Sequence, residues 1–420
     1  MAISHKSDRI HSVDALRGFA LAGVALVHMT EQYIAGPSPE GFMEGVNGLP
    51  DQIIQGILQL FFTGKFFALF SILFGLSFAI QMQSAELKGV KFELRFLWRA
   101  VLLFVIGYVH QLFYRGDILT IYAVLAPLII PFYKVSNKWI LVTAGLVFLG
   151  IPRFISFMIM GAESVTGIHS FMDMNNEYIT TYFDVIQNGS ILDVFQINAS
   201  YGMLTKIDFQ ISFFGRLYYT FGYFLIGLWL GKIGLFNELA AYSKKIKTFM
   251  LWSLVALLLS IVAMIATFAT MPQPMDNSSL QFVFGMNFMD WFSIAMTSII
   301  LCGFLLLYQK AAWEKRFLFF APYGKMALTN YILQSVIGTF IFFGWGLGYL
   351  GQIRTVYLFA MAILIIVIQT ILSKYWLKSF KYGPLEWLWR SGTYLKWQPM
   401  LKNNQMNDEK INAIKDDILI

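Results

Sequence analysis

The chain is poor in cysteine, in histidine and in charge, and each shortage closes a class of function. Its single cysteine, Cys302, lies inside an apolar run, so neither a disulfide framework nor a thiolate metal cluster can be assembled. Five histidines are scattered without the spacing of a ligand set, and no metal site is expected from them. Charged residues make up 13% of the chain, against about 25% in ordinary soluble domains. A surface so short of charge must meet something other than water.

What is present instead is apolar. Hydrophobic residues reach 57% and aromatics 17%, led by 41 Phe, a composition suited to lipid-facing and interfacial helix surfaces. The net charge of +7 could point to nucleic acid, but the basic residues fall between apolar runs. That distribution reports membrane orientation, so the expected partner is the lipid bilayer and not nucleic acid. The polar stretch Met1 to Asp14 leads into an apolar run with no small-residue cleavage site at its end. That run reads as a permanent first helix.

A bilayer core takes about 20 apolar residues per helix. Ten runs meet or approach that length: 13–33, 54–80, 96–114, 117–133, 139–160, 211–231, 249–270, 288–308, 325–343 and 355–376. The expected fold class is all-α, a polytopic membrane helix bundle of about ten spans. The third and fourth runs meet through Arg115-Gly116-Asp117, which predicts a tight helical hairpin. Lys6, Arg9, Lys88, Lys91, Lys134, Lys138, Lys244, Lys245, Lys247, Lys310, Lys315, Arg316 and the 374–381 stretch share one face. The positive-inside rule makes that face cytoplasmic, with both termini inside. The opposite loops carry few basic residues, Lys206 and Arg354.

The organisation expected is a cytoplasmic N-terminus (1–12), a five-helix bundle (13–160), an extracytoplasmic loop (161–210), a second five-helix region (211–390) and a cytoplasmic tail (391–420). The loop is acidic, with Glu163, Asp173, Glu177, Asp184, Asp193 and Asp208. It reads equally as a substrate-shaping cap or a solvated connector. The tail loses its apolar runs after Gly392, and most of it is expected to be disordered. No internal repeat of the transporter kind is evident.

Several spans carry groups that lipid rejects: Arg17, His28, Lys65, Arg99 and His110. A charge at mid-helix costs roughly 2.5–3.5 kcal/mol on insertion scales, so each should face protein or a wet interior. Arg17 and His28 stand eleven residues apart, about three turns, and so project from nearly one face. Asp14, three residues before Arg17, can neutralise it; the plain alternative is an ion pair anchoring a helix end. Arg99 and His110 repeat the spacing of eleven, and Arg95 lies one turn earlier. With Lys88 and Lys91 these arginines could hold phosphates or be an ordinary basic flank. Asp117 follows His110 across the tight link; a carboxylate beside an imidazole sets its tautomer and raises its basicity. Lys65 stands roughly twelve residues into the second run, too deep for easy snorkelling. Gly64 and Gly75 would permit close helix contact. Thr329, Asn330, Gln334 and Ser335 supply polar groups at helical spacing, for a ligand or for interhelical bonds.

Three blocks then resemble a known family. Arg9-Ile-His-Ser-Val-Asp14-Ala-Leu-Arg17-Gly-Phe-Ala, Gly64-Lys65-Phe-Phe-Ala-Leu-Phe-Ser-Ile-Leu-Phe-Gly75 and Gly107-Tyr-Val-His110 through Gly116-Asp117-Ile-Leu-Thr-Ile-Tyr122 resemble the YeiB-like bacterial membrane proteins. Gly324-Lys-Met-Ala-Leu-Thr-Asn330-Tyr-Ile-Leu-Gln334-Ser and Gly383-Pro384-Leu-Glu386-Trp387-Leu-Trp389-Arg390 are similar to that family's C-terminal domain of unknown function 418. The family in turn resembles the transmembrane acyltransferases, including acyltransferase family three and the lysosomal heparan glucosaminide acetyltransferase. Family three carries Arg, ten residues, then His in its first helix, the places of Arg17 and His28 here. YeiB-like members often have Asn where this chain has His28. The Arg-x-x-Arg pair of family three is one residue wider here, at Arg95 and Arg99.

The resemblance implies an acyltransferase of the bacterial cytoplasmic membrane that uses acyl-CoA, acetyl-CoA foremost, as co-substrate, with no bound cofactor. Arg17, Arg95 and Arg99 would receive the donor, and Asn330 and Gln334 would line the site. His110 oriented by Asp117, or alternatively His28, would act as base on a small-molecule or glycan acceptor. Lys65 would stabilise oxyanion charge. The competing expectation is a transporter of a small metabolite, with the same charges forming its site. A homodimer is left open.

Overall fold

The computed structural model describes residues 11–39, 41–43, 46–161, 165–167, 177–212, 214–272, 276 and 278–402. Lys6, Arg9, Glu163, Asp173 and the tail from 403 lie outside the described residues. Among the described residues the chain is helical, apart from one isolated antiparallel bridge between Phe380 and Leu401.

Helix α1 (His11–Thr30) is mostly buried, because small residues let neighbours close on it. A Cβ on Gly18 would lie 2.1 Å from the Phe320 carbonyl oxygen, and one on Gly23 2.0 Å from the Phe66 ring. Next come α2 (Leu49–Phe61) and α3 (Lys65–Glu86). They are interrupted where Gly64 takes φ 80°, a left-handed conformation that suits glycine. Lys65 therefore opens α3 and does not stand deep within one continuous helix. Gly64 serves the break, whereas Gly75 provides the close helix contact that its sequence setting predicts. A Cβ on Gly75 would meet Phe224 O at 2.0 Å.

Helices α4 (Glu93–Phe113) and α5 (Leu119–Ile129) form the expected hairpin, with Gly107 packed on the backbone of Thr120. Helices α6 (Asn137–Phe148) and α7 (Ile151–Met160) are bent by 47° at Gly150. The carbonyls freed there find donors on a later helix: Trp291 Nε1 donates to Phe148 O at 2.7 Å and Asn287 Nδ2 to Leu149 O at 3.2 Å. Irregular backbone inside an apolar bundle needs such partners.

Helices α8 (Glu177–Asn188), α9 (Ile191–Ile197) and α10 (Met203–Ile211) follow, with a π-helical turn, Asn198–Gly202, between the last two. The described part of the acidic segment is thus a packed cap. Ile179, Tyr182, Phe183, Ile186, Val194 and Ile197 share one apolar core with Met29, Tyr33, Ile34, Tyr114, Phe342 and Phe343. Then come α11 (Arg216–Lys232), α12 (Leu239–Ala269), α13 (Leu280–Tyr308), α14 (Ala311–Phe317), α15 (Ala321–Lys325), α16 (Ala327–Phe342), α17 (Thr355–Ser379) and α18 (Pro384–Tyr394).

Among the described residues, six stretches are long and apolar enough to cross a membrane: α1, α2 with α3, α4, α12, α13 and α17; the bent α6–α7 pair makes up to seven. Three other expected spans are shorter: α5, α11 and α16, of 11, 17 and 16 residues. At 1.5 Å per residue α5 covers about 16 Å, roughly half a hydrocarbon core. The most lipid-like surface is α12, where Trp252, Leu258, Leu259 and Val262 are 63–66% exposed. Residues beyond Gly392 stay ordered as far as 402: Trp397 stacks on Trp387, and Lys381 N–H donates to Met400 O.

Candidate functional site

The hairpin link brings His110 and Asp117 together. Asp117 sits just before α5 and accepts Leu119 N–H on Oδ1, and Thr120 N–H and Oγ1–H on Oδ2, in the manner of a helix N-cap. Its Oδ1 stands 2.8 Å from His110 Nδ1, with both side chains fully buried. A carboxylate taking that many donors is ionised and can only accept, so the imidazole proton sits on Nδ1. In the neutral form of the ring, Nε2 keeps its lone pair. It is buried and has no hydrogen-bond partner among the described residues, an uncommon state for a buried polar atom.

A third group, Lys206 of α10, completes the arrangement. Its Nζ donates to Gln111 Oε1 at 2.8 Å and Thr120 Oγ1 at 2.5 Å, and lies 3.3 Å from Asp117 Oδ2. Burial pushes this ammonium below the usual lysine range, while Asp117 pulls it back. The cap thus closes over the dyad. Arg115 fastens the same edge: its Nε donates to Ile34 O at 2.8 Å and its guanidinium lies 3.7 Å from the Tyr182 ring centre.

His28 approaches from α1. Its ring centre is 5.2 Å from that of Tyr114 and 6.3 Å from that of Tyr331, while His110 is 6.1 Å and 4.9 Å from the same two rings. The two imidazoles therefore share aromatic walls, but the carboxylate belongs to His110. Tyr331 also accepts Ile118 N–H on its hydroxyl. A cavity of 490 Å³ opens beyond the end of α1, lined by Thr30, Glu31, Gln32, Met43, Gln55, Thr355 and others; neither histidine lines it.

The other predicted residues are dispersed. Arg17 pairs with Asp14 at 2.9 Å and donates to Ser77 Oγ at 3.0 Å. Arg95 and Arg99 lie over the Tyr394 and Trp389 rings of α18, at 5.0 and 4.0 Å. Asn330 Nδ2 donates to Tyr323 O and Ser373 Oγ, and Gln334 Nε2 to the Tyr323 hydroxyl and Gln369 Oε1. Those two amides bind α15, α16 and α17 to one another. Lys65 Nζ donates to Gln59 O at 2.8 Å, away from the dyad.

Lys206, Gln111, Thr120 and Tyr331 escaped the sequence reading. Lys206 had a weak signal, a cation in an acidic segment. Arg153 and Asp290 had a stronger one, since both are charges inside apolar runs. Arg153 pairs with Asp290, and Arg216 lies 3.7 Å from the same carboxylate.

Long apolar helices wrapped around buried ionised groups define a helical membrane protein with a polar interior. Its C-terminal part, residues 230–396, matches the family model described as "Protein of unknown function (DUF418)". The chain is 30% identical over 414 residues to the uncharacterized protein YxaH of Bacillus subtilis (strain 168), covering 95% of this chain and 98% of YxaH. It is 29% identical over 406 residues to an uncharacterized 39.9 kDa protein in the amylase 3' region of Bacillus acidopullulyticus, covering 94% and 96%. A shorter match, 41% over 70 residues, joins it to YeiB of Escherichia coli (strain K12), covering 17% and 18%. The chain belongs to the DUF418 family.

Proposed function

We propose that this protein is a ten-span acyltransferase of the bacterial cytoplasmic membrane, with both termini inside, moving an acyl group from cytosolic acyl-CoA to an extracytoplasmic or lipid-linked acceptor. One observation carries the reading: His110 is held by Asp117 through Nδ1, while Nε2 is buried with no partner among the described residues. In the step, Nε2 takes the proton of an acceptor hydroxyl or amine. The acceptor atom attacks the thioester carbonyl, the carbon–sulfur bond breaks, and the departing thiolate takes the proton from His110. Asp117 favours the intermediate imidazolium. Arg95 and Arg99 are assigned to the donor's phosphates, since a guanidinium stacked on a ring keeps its N–H edge for an anion. Arg17, already paired with Asp14 and Ser77, adds positive charge on that side.

Purified protein with labelled acetyl-CoA and envelope glycan or lipid fractions tests this. Label transfer should fall by about 10²–10⁴-fold in His110→Ala. Transfer unchanged in His28→Ala, His110→Ala and the double variant would sink the assignment.

The transporter reading has one observation in its favour, the α6–α7 interruption beside buried charge, since broken helices line many transport sites. It requires donor-independent flux of solute into liposomes.

A further inference from the structure

We propose that α4 and α18 together bind an anionic phospholipid, with its phosphate on an arginine cluster and an acyl chain in the adjoining apolar groove. The cluster holds Arg95 and Arg99 of α4 and Arg390 of α18. Arg95 and Arg390 share one ring, Tyr394, at 5.0 and 5.3 Å from its centre. Arg99 covers Trp389 at 4.0 Å and is close enough to Arg390 to be repelled by it. None of the three pairs with a carboxylate among the described residues. Arg390 Nε is buried and has no hydrogen-bond partner among them. Guanidinium groups gathered in this way, with no acid between them, form a site for an anion. Arginine grips phosphate through paired N–H groups.

The groove selects a lipid over a soluble anion. Its volume is 410 Å³, and Leu102, Ile106, Leu388, Leu395 and Trp397 supply apolar walls. Trp389 joins groove to cluster: it lines the one, carries Arg99 on its face, and donates from Nε1 to Arg99 O at 3.0 Å. Arg99, Leu102 and Ile106 stand at i, i+3 and i+7, a single stripe of α4. Along the axis Leu102 lies about 4.5 Å from Arg99, and Ile106 about 10.5 Å. A phospholipid has this order, its phosphate followed across the glycerol backbone by the ester of a chain. Acyl-CoA does not, because the pantetheine arm separates its phosphates from its acyl chain. Leu395 and Trp397 are 81% and 70% exposed, as befits residues that meet the lipid interface.

The inference goes beyond acyl transfer and does not rest on it. Lipid and donor would exclude one another at Arg95 and Arg99, the arginines assigned to the donor, so binding is read with no donor present. The full chain, purified in a neutral detergent, is offered phosphatidylglycerol and phosphatidylcholine in equal amounts. Native mass spectrometry counts the lipid retained, and phosphatidylglycerol should be preferred. The double variant Arg99→Gln/Arg390→Gln should weaken its retention about tenfold or more. Lys244→Gln, which removes an exposed cation of α12, should leave retention unchanged. Long-chain phosphatidylglycerol should hold better than its short-chain analogue, and Leu102→Trp, which fills the groove, should erase that difference with the arginines intact. Where the double variant does not fold, the chain-length comparison in wild type and Leu102→Trp decides. Equal retention of the two lipids, an equal loss in Lys244→Gln, no effect of chain length, or displacement of the lipid by inorganic phosphate would overturn the proposal.

Discussion

Lys206 and Asp117 are 89 residues apart in the chain and 3.3 Å apart in the fold. That approach joins the cap to the hairpin, and it makes Asp117 the acceptor of three separate elements: the start of α5, His110 of α4, and α10. A carboxylate so engaged is a fixed negative charge against which an imidazole can gain a proton.

The dyad predicts an ordered series of variants. His110→Gln and Asp117→Asn should each reduce acyl transfer by about 10²–10⁴-fold. Asp117→Asn also turns an acceptor toward donors it can no longer fully satisfy, so its thermal midpoint should fall as well. His28→Asn should cost less than His110→Gln, because the carboxylate contacts His110. Initial rates and melting curves of the three proteins check the order.

Lys206 predicts a pH dependence. Burial lowers its folded pKa below the ordinary value of 10.5, with Asp117 opposing. In the window just beneath that value the unfolded chain binds the extra proton, so this lysine's contribution to folding stability improves as pH rises. Activity should move the other way, since the neutral amine keeps two N–H groups for the three acceptors Gln111, Thr120 and Asp117 and loses its positive charge beside Asp117. Wild type should lose transfer on the alkaline side before an exposed lysine would titrate. Lys206→Met should have no such limb, and its stability should rise less over the same interval.

The crossing of α3 and α11 predicts a packing defect. A Cβ on Gly227 would stand 1.9 Å from Ile72 O, and a backbone carbonyl cannot rotate away. Gly227→Ala should cost about 1–3 kcal/mol, read as a lower thermal midpoint in detergent. Gly56 of α2 meets nothing within 4 Å, so Gly56→Ala should be neutral or gain about 0.5–1 kcal/mol of helix preference.

The α6–α7 bend predicts a local opening. Asn287 donates to Leu149 O and accepts from the Tyr219 hydroxyl at 2.9 Å. Asn287→Leu removes the side-chain donor to Leu149 O and one acceptor of the Tyr219 hydroxyl, at about 1–3 kcal/mol for a buried polar group. Hydrogen exchange across residues 148–154 should accelerate, while α12 keeps its protection.

Much of the architecture was legible because lipid imposes a one-dimensional rule. A run of apolar residues long enough to cross must be helical, and its ends show in the basic residues around it. That rule found the hairpin at Arg115–Asp117 and the pairing of His110 with Asp117, both of which depend on neighbouring sequence. It missed the break before Lys65. Gly64 has a neutral hydropathy, and nothing in an apolar average marks a left-handed residue. Nor did it show that Arg17 reaches Ser77 or that Arg95 and Arg99 stack on rings of α18.

By itself the sequence determined that the chain is helical, apolar and burdened with interior charges, because composition and periodicity act locally. Only the tertiary structure decided which charges meet. Lys206 reaching Asp117, and Arg153 and Arg216 sharing Asp290, are contacts across 89, 137 and 74 residues. Such pairings follow from how helices cross and where glycines let backbones touch, and no local pattern along the chain encodes them.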